Sequence, residues 1–241
     1  MESPFLHLSG LLRAIGLFLS GVCHQLPEHT LAAAAGQMPL CARCTGTYWG
    51  AALGFLFLWR QRSPRAARLP RAEVMLFLTG LSFLWLIDGA NSYLNFLTGD
   101  VWLYQPNNAL RLATGLGFGF ALGAVVWPLF NASVWKEPSA ERALSSWREL
   151  SVALAGLVGL WLALLVGGPL LGWLVAPLDA IAVVFVLTVV NTMIALTALR
   201  RENQAEGWRD ARLPLGLGLA LAIAEVIGIA LLRYFLARSL P

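Results

Sequence analysis

Cys23-His24-Gln25 and Cys41-Ala42-Arg43-Cys44-Thr45-Gly46 are the two motifs around which this chain is organised. The window that they bound contains all three cysteines of the chain and two of its three histidines. Most of the remaining sequence is apolar. We therefore expect any metal or thiol chemistry to be concentrated where these two motifs meet.

The composition excludes a water-soluble domain. Of the 241 residues, 58% are hydrophobic and only 12% are charged, whereas a soluble protein carries about 25% charged residues. Long apolar runs separated by short charged segments indicate a polytopic membrane protein whose partner is the lipid bilayer. The formal net charge of +4 comes from arginines in short loops, which is typical of membrane topology signals and not of nucleic-acid binding.

The apolar runs predict an all-α fold, a polytopic membrane bundle of six transmembrane helices. The predicted spans are residues 40 or 45 to 59, 74–93, 110–130, 150–166, 178–199 and 214–236. A further helix over residues 5–22 either lies in the membrane interface or crosses as a seventh span. Arg13 in its middle favours the interface, because a charge at bilayer depth is costly. Residues 23–40, with a helical turn at 32–35, and the uncharged stretch 167–177 are predicted as loops.

This pattern divides the chain into three parts. Residues 1–39 form an N-terminal amphipathic helix and the Cys/His loop. Residues 40–130 form a three-helix membrane unit that carries the polar site, and residues 131–241 form a second three-helix unit without a recognisable motif.

The distribution of arginine predicts the orientation. The loops after the first, third and fifth spans are basic, whereas those after the second and fourth contain no lysine or arginine. The positive-inside rule then places the basic loops in the cytoplasm, with the protein in the inner (plasma) membrane. The Cys/His motifs fall at the extracytoplasmic boundary. The C-terminal tail, with Arg233 and Arg238, is the segment that departs from the rule.

The thiols and imidazoles form a candidate metal site. Cys23, His24, Cys41 and Cys44 make a Cys3His set, which suits tetrahedral zinc. Adjacent Cys23 and His24 point in different directions, so His29 is an alternative fourth ligand. The same atoms also fit a membrane thiol–disulfide oxidoreductase that uses Cys41 and Cys44, since a Cys-x-x-Cys motif at a helix start has a lowered thiol pKa. A structural disulfide or inert thiols are the remaining alternatives.

Polar residues from several predicted spans fall at the same end of the bundle as the thiols. Polar groups at membrane depth are expensive and usually face a cavity or one another. Asp88 and Arg111 are expected to form an ion pair, which either fixes helix packing or is catalytic, with Asp88 as general base and Arg111 holding an anionic group such as a lipid phosphate. The rest of the predicted polar pocket comprises Gln25, Arg43, Thr45, Asn91, Asn108 and Thr114.

The function indicated is an integral membrane protein with a zinc-type site beside this pocket, which would bind or act on a lipid-linked anionic substrate. A third class, besides the oxidoreductase, is a transporter of a small molecule or lipid. Glycines at helical spacing, such as Gly46 with Gly50 and Gly115 with Gly119, indicate close helix packing.

The two motifs resemble those of a known family. The run Pro39 to Gly46 with Tyr48, the later Asp88-Gly89 with Asn91, and Asn108 through Arg111 to Thr114-Gly115 are similar to the signatures of prokaryotic predicted membrane proteins of domain-of-unknown-function family 2085. The resemblance covers about residues 20–125. It implies an integral membrane protein with a Cys/His site and does not imply a reaction.

Overall fold

The computed structural model describes residues 10–33, 36–61 and 63–239. Its helices are α1 (Gly10–Leu19), α2 (Ala42–Trp59), α3 (Ala72–Thr98), α4 (Asn108–Val134), α5 (Trp147–Leu199) and α6 (Trp208–Ser239). Its strands are β1 (Thr30–Ala33), β2 (Gly36–Cys41), β3 (Ala66–Arg68) and β4 (Ser139–Arg142), and a 3-10 turn occupies Pro27–His29. The predicted all-α membrane bundle is confirmed, with two small two-stranded sheets at its ends.

Five helical segments among the described residues are long and apolar enough to cross a membrane. They are Ala72–Thr98, Asn108–Val134, Trp147–Gly167, Gly172–Leu199 and Trp208–Ala237. Helix α2, predicted as the first span, is not among the five. Its opening turns carry Arg43, threonines and glycines, which lower its mean hydropathy, and Thr45, Gly46 and Gly50 among them are buried.

Helices α2 and α4 form the centre of the bundle and approach each other at their glycines. A Cβ atom added to Gly46 would lie 2.5 Å from the Leu112 carbonyl oxygen, and one added to Gly119 would lie 2.0 Å from that of Thr47. Both distances are shorter than any real Cβ contact, so a side chain at either position would push the two helices apart. The predicted close packing at these glycines is confirmed.

The stretch 167–177 was predicted as a loop, but its backbone is helical. It lies within α5, which has 53 residues. Straight, such a helix would be about 80 Å long. Both ends of α5 nevertheless lie at the same end of the bundle. Arg71 N, just before α3, donates to Leu144 O, just before α5, and Asn203 N, just after α5, donates to Ser133 O near the end of α4. Trp161, in the first half of α5, reaches Ala109 at the start of α4. The chain therefore turns back within α5 and contributes two spans.

The basic connections gather at one end of the bundle, which we call the arginine end (residues 63–71, 135–146 and 200–207). Strands β3 and β4 pair there in parallel, and Lys136 N donates to Ala205 O. The opposite end, which we call the cysteine end (residues 20–33, 36–41 and 99–107), carries the two motifs.

The N-terminal segment differs from its prediction. Helix α1 has ten described residues, about 15 Å of helix, which is half of the hydrocarbon thickness of about 30 Å; residues 5–9 of the predicted helix lie outside the described range. Strands β1 and β2 form an antiparallel hairpin where a loop with a helical turn was expected. That turn is wrong for residues 32 and 33, because pairing with β2 outweighs the helix propensity of alanine, and residues 34–35 lie outside the described residues.

Candidate metal centre and its polar surround

The structure brings three of the four predicted metal ligands together. The ligand atoms of Cys23, His24 and Cys41 all lie within 4.8 Å of one another. Cys23 follows the turn after α1, and Cys41 ends β2 and is the N-cap residue of α2. Both thiols are buried and His24 is exposed. The three cysteines are free thiols.

Cys44, the fourth predicted ligand, is not part of that group but lies beside it. Its backbone N donates to Cys41 Sγ at 3.4 Å, and its thiol is close enough to those of Cys23 and Cys41 to shift their pKa values. It lies in the first turn of α2, one turn beyond Cys41. The grouped ligands are therefore two thiols and one imidazole, with the Cys44 thiol next to them.

Backbone amides point at the sulfur atoms. Cys41 N donates to Cys23 Sγ at 3.2 Å, Gln25 N donates to the same sulfur at 3.4 Å, and Cys44 N donates to Cys41 Sγ at 3.4 Å. Hydrogen bonds from the Cys23 and Cys44 thiols lower the pKa of the Cys41 thiol to about 2. The hydrogen bond with Cys41 raises the pKa of the Cys23 thiol to about 12. A metal cation bound among these thiols would replace their protons.

His29 contacts His24 and is not one of the grouped ligands. The His24 Nε2 and His29 Nδ1 atoms lie 3.2 Å apart, and the rings meet edge to face at 5.4 Å. Burial, followed by the charge of Arg111, lowers the pKa of His29, so its imidazole is neutral and can accept a hydrogen bond. With Nε2 engaged in this way, His24 has Nδ1 left for a metal ion.

The buried ion pair differs from its prediction, because Asp88 pairs with Arg43 and not with Arg111. Arg43 Nε donates to Asp88 Oδ2 at 3.1 Å, and Arg43 Nη2 donates to the same oxygen, to Asp88 O and to Ser92 Oγ. Tyr104 donates to Asp88 Oδ1 at 2.9 Å and Thr114 donates to Oδ2 at 3.4 Å. Asp88 is only 1% exposed. Its carboxylate therefore ties α2, α3 and α4 to the loop between α3 and α4.

Arg111 is left without an acidic partner among the described residues. Its Nη1 donates to Asn108 Oδ1 at 2.8 Å, whereas its Nε is buried with no hydrogen-bond partner. The residue is 6% exposed. Asn108 is itself fixed by donating to Thr30 O at 2.8 Å and Glu28 O at 3.1 Å. A buried guanidinium with a spare donor is the one unsatisfied cation that the structure shows beside the thiol cluster.

The other predicted pocket residues mostly brace the backbone. Gln25, in the left-handed conformation with φ 57°, donates from Nε2 to Gly16 O and Pro39 O. Asn91 donates to Tyr104 O and accepts from Leu103 N. Thr45 Oγ1 is buried without a partner in the described chain.

Sequence reasoning missed three contributors to this end of the bundle. Tyr104 and Ser92 contact the Asp88–Arg43 pair, and nothing in their sequence context distinguishes them. Burial and the hydrogen bond to Asp88 raise the pKa of Tyr104 to about 12, so its hydroxyl remains a donor. Arg233, near the end of α6, donates to Ser20 O and Cys23 O. The departure of Arg233 from the positive-inside rule was the one feature of the sequence that could have pointed to this contact.

The chain is similar to predicted membrane proteins and to uncharacterised archaeal proteins. The family described as "Predicted membrane protein (DUF2085)" matches residues 23–125, which contain all the predicted site residues. An uncharacterized protein of Methanothermobacter thermautotrophicus is 32% identical over 104 residues, which cover 43% of this chain and 83% of that protein. Uncharacterized protein MJ1492 of Methanocaldococcus jannaschii is 24% identical over 116 residues, 48% of this chain and 68% of the relative. No solved structure matches the chain.

Proposed function

Because the chain belongs to the DUF2085 family of membrane proteins, we propose that it is a multi-pass membrane protein whose Cys/His cluster binds one divalent metal ion, zinc, at the cysteine end of the bundle. One observation carries this proposal. Ligand atoms from Cys23, His24 and Cys41 lie within 4.8 Å of one another, although Cys41 lies 18 residues after Cys23 in the sequence.

The ligand chemistry selects the ion. Three sulfur donors and one imidazole are soft to borderline ligands, and zinc is the metal that such sets hold in tetrahedral geometry. Cys44, in the turn of α2 that follows Cys41, supplies the fourth ligand after a shift of its side chain. Four protein ligands leave no open position. We therefore assign the ion a structural role, joining the turn after α1, the hairpin and α2.

Metal analysis of the purified protein tests this proposal. We expect one equivalent of zinc in the wild type and its loss in Cys41→Ser, because a hydroxyl is a poor replacement for a thiolate ligand. Ser151→Ala, an exposed change in α5, is the matched control and should retain the zinc. Wild-type protein purified without zinc or any other metal, under conditions that keep its thiols reduced, would contradict the proposal.

A thiol–disulfide oxidoreductase is the second candidate, and the position of Cys41 at the start of α2 favours it. Cys41 caps the N-terminus of α2, and its thiol has a lowered pKa, as in redox-active Cys-x-x-Cys sites. Mass mapping of the same preparation separates the two candidates. A reducible Cys41–Cys44 disulfide in metal-free protein would support the oxidoreductase, whereas three metal-bound thiols would support the zinc site.

The surround suggests roles for the two residues predicted to be catalytic. Asp88 accepts from Arg43, Tyr104 and Thr114, which supports a role in fixing the helices more than proton abstraction. Arg111 has a buried Nε without a partner in the described chain, which supports binding of an anionic group, such as the phosphate of a lipid-linked substrate. We propose that this end faces the extracytoplasmic side of the plasma membrane, as the basic loops indicate.

A further inference from the structure

A large cavity lies at the arginine end, on the opposite side of the bundle from the thiols. Its volume is about 890 Å³, within the range of small-molecule binding pockets. It opens between the end of α2, the start of α3, the segment around β4 and the start of α5. Its lining includes Phe57, Arg71, Arg142, Arg148 and Val152.

The charge of this cavity is positive. Three guanidinium groups line it, and two of them, those of Arg71 and Arg148, are exposed and have no polar partner among the described residues. Two carboxylates also line it. Both oxygens of Glu149 accept from Ser145, and Glu141 is exposed to solvent. Guanidinium groups therefore outnumber carboxylates in the lining of the cavity. Those of Arg71 and Arg148 are available to bind an anion.

The N-termini of α3 and α5 add to the positive electrostatic potential of the cavity. Arg71 is the N-cap residue of α3 but makes no side-chain cap, so the first amides of a 27-residue helix are left uncapped by it. Helix α5 also begins at the cavity. Helix N-termini carry partial positive charge and unpaired N–H groups, both of which favour an anionic oxygen.

The cavity also has an apolar side. Phe57 belongs to α2, and Val152 lies in the candidate span Trp147–Gly167 and is 58% exposed. Next to the cavity, Phe77 and Trp147 pack edge to face at 6.1 Å, as aromatic side chains do at the boundary between headgroups and hydrocarbon. A ligand here would place its charged part among the arginines and an apolar part along Phe57 and Val152.

We propose that this cavity binds an anionic phospholipid, with its phosphate held by Arg71, Arg142 and Arg148 and an acyl chain lying along Phe57 and Val152. Basic pockets between membrane helices bind the headgroups of anionic lipids. A free phosphate ion would use the arginines and leave the apolar side uncovered. The site is separate from the thiol cluster and does not depend on the zinc proposal.

Native mass spectrometry of the detergent-purified protein tests this site. The probes are phosphatidylglycerol, phosphatidylcholine and inorganic phosphate, each titrated alone. We expect phosphatidylglycerol to bind in preference to phosphatidylcholine. The double variant Arg71→Gln/Arg148→Gln should weaken phosphatidylglycerol binding about 25-fold, roughly fivefold for each arginine. The control Arg209→Gln/Arg212→Gln removes the same charge from exposed residues outside the cavity and should change the affinity less than threefold.

Each other outcome overturns the proposal. Equal losses in the two double variants would mean that the whole basic surface attracts lipid, without a site. Equal binding of the two phospholipids would exclude recognition of anionic charge. Inorganic phosphate that binds and displaces phosphatidylglycerol would make the cavity an ion site. Thermal unfolding without lipid, unchanged between the two double variants, checks that both remain folded.

Discussion

Arg43 connects the candidate metal centre to the polar surround. It lies between Cys41 and Cys44 in the first turn of α2, yet its guanidinium points away to Asp88 and Ser92 on α3. The pair is nearly buried, with side-chain exposures of 18% and 1%. Removing one partner of such a pair costs more than the pair contributes, because the other charge is left without compensation. The contacts of Arg43 with Asp88 and Ser92 therefore fix the backbone segment that carries Cys41 and Cys44.

At the same scale, His29 is expected to act on the metal through His24. A metal-bound imidazole is oriented by a hydrogen bond from its other nitrogen, and loss of that partner typically weakens metal binding about 10- to 100-fold. His29→Ala should therefore retain the zinc site with affinity reduced by that factor, measured by competition with a chromophoric chelator.

Two further variants separate orientation from ligation at His29. His29→Asn keeps an acceptor near His24 Nε2 and should restore part of the affinity. His24→Ala removes a ligand and should weaken binding more than His29→Ala does. If His29→Ala bound zinc as tightly as the wild type, the orienting role would be wrong.

At the scale of elements, the contact between α2 and α4 sets the positions of the site residues. Gly115 lies against the Arg43 carbonyl, where an added Cβ would be 2.5 Å from the oxygen. Arg43 and Cys44 belong to one helix of this contact, and Arg111 and Thr114 belong to the other. Small residues at membrane helix interfaces permit such close approach. The geometry of the surround thus depends on residues without side chains.

We expect Gly119→Ala to destabilise the protein by about 1–3 kcal/mol, the usual cost of overpacking, because the new methyl group would meet Thr47 O at 2.0 Å. Gly80→Ala in α3 is the matched control, since an added Cβ meets nothing within 4 Å there. It should be neutral or stabilising by up to about 1 kcal/mol. Thermal unfolding in detergent compares the two variants, and equal melting temperatures would contradict the packing account.

For the whole molecule, basic connections and thiols occupy opposite ends of one bundle. Reporter fusions test which side each end faces. A fusion after Glu137 should give fluorescent green fluorescent protein and inactive alkaline phosphatase, because the positive-inside rule places the arginine end in the cytoplasm. A fusion after Tyr104 should give the reverse, and matching signals at both positions would contradict the orientation.

The sequence predicts those features that depend on the length of apolar segments and on the alternating direction of successive membrane helices. The helical class and the gathering of Cys41, Asp88 and Arg111 at one end follow from alternating helix directions alone. The Arg43–Asp88 pair does not, because it depends on where a side chain points in the first turn of α2. The pairing of β1 with β2 depends on backbone hydrogen bonds between strands, and the helical backbone of 167–177 runs through glycines and prolines that usually mark a loop. The three-part division of the chain stays a prediction.

The contact between Arg233 and the turn after α1 links the beginning of the chain to its last helix. Arg233 donates to the carbonyl of Cys23, 210 residues earlier in the sequence. During synthesis on the ribosome, the Cys23 turn must therefore wait for α6 before it receives these final hydrogen bonds. A partly synthesised chain without α6 would contain Cys23, Cys41 and Cys44 but would lack the hydrogen bond from Arg233 to the Cys23 carbonyl.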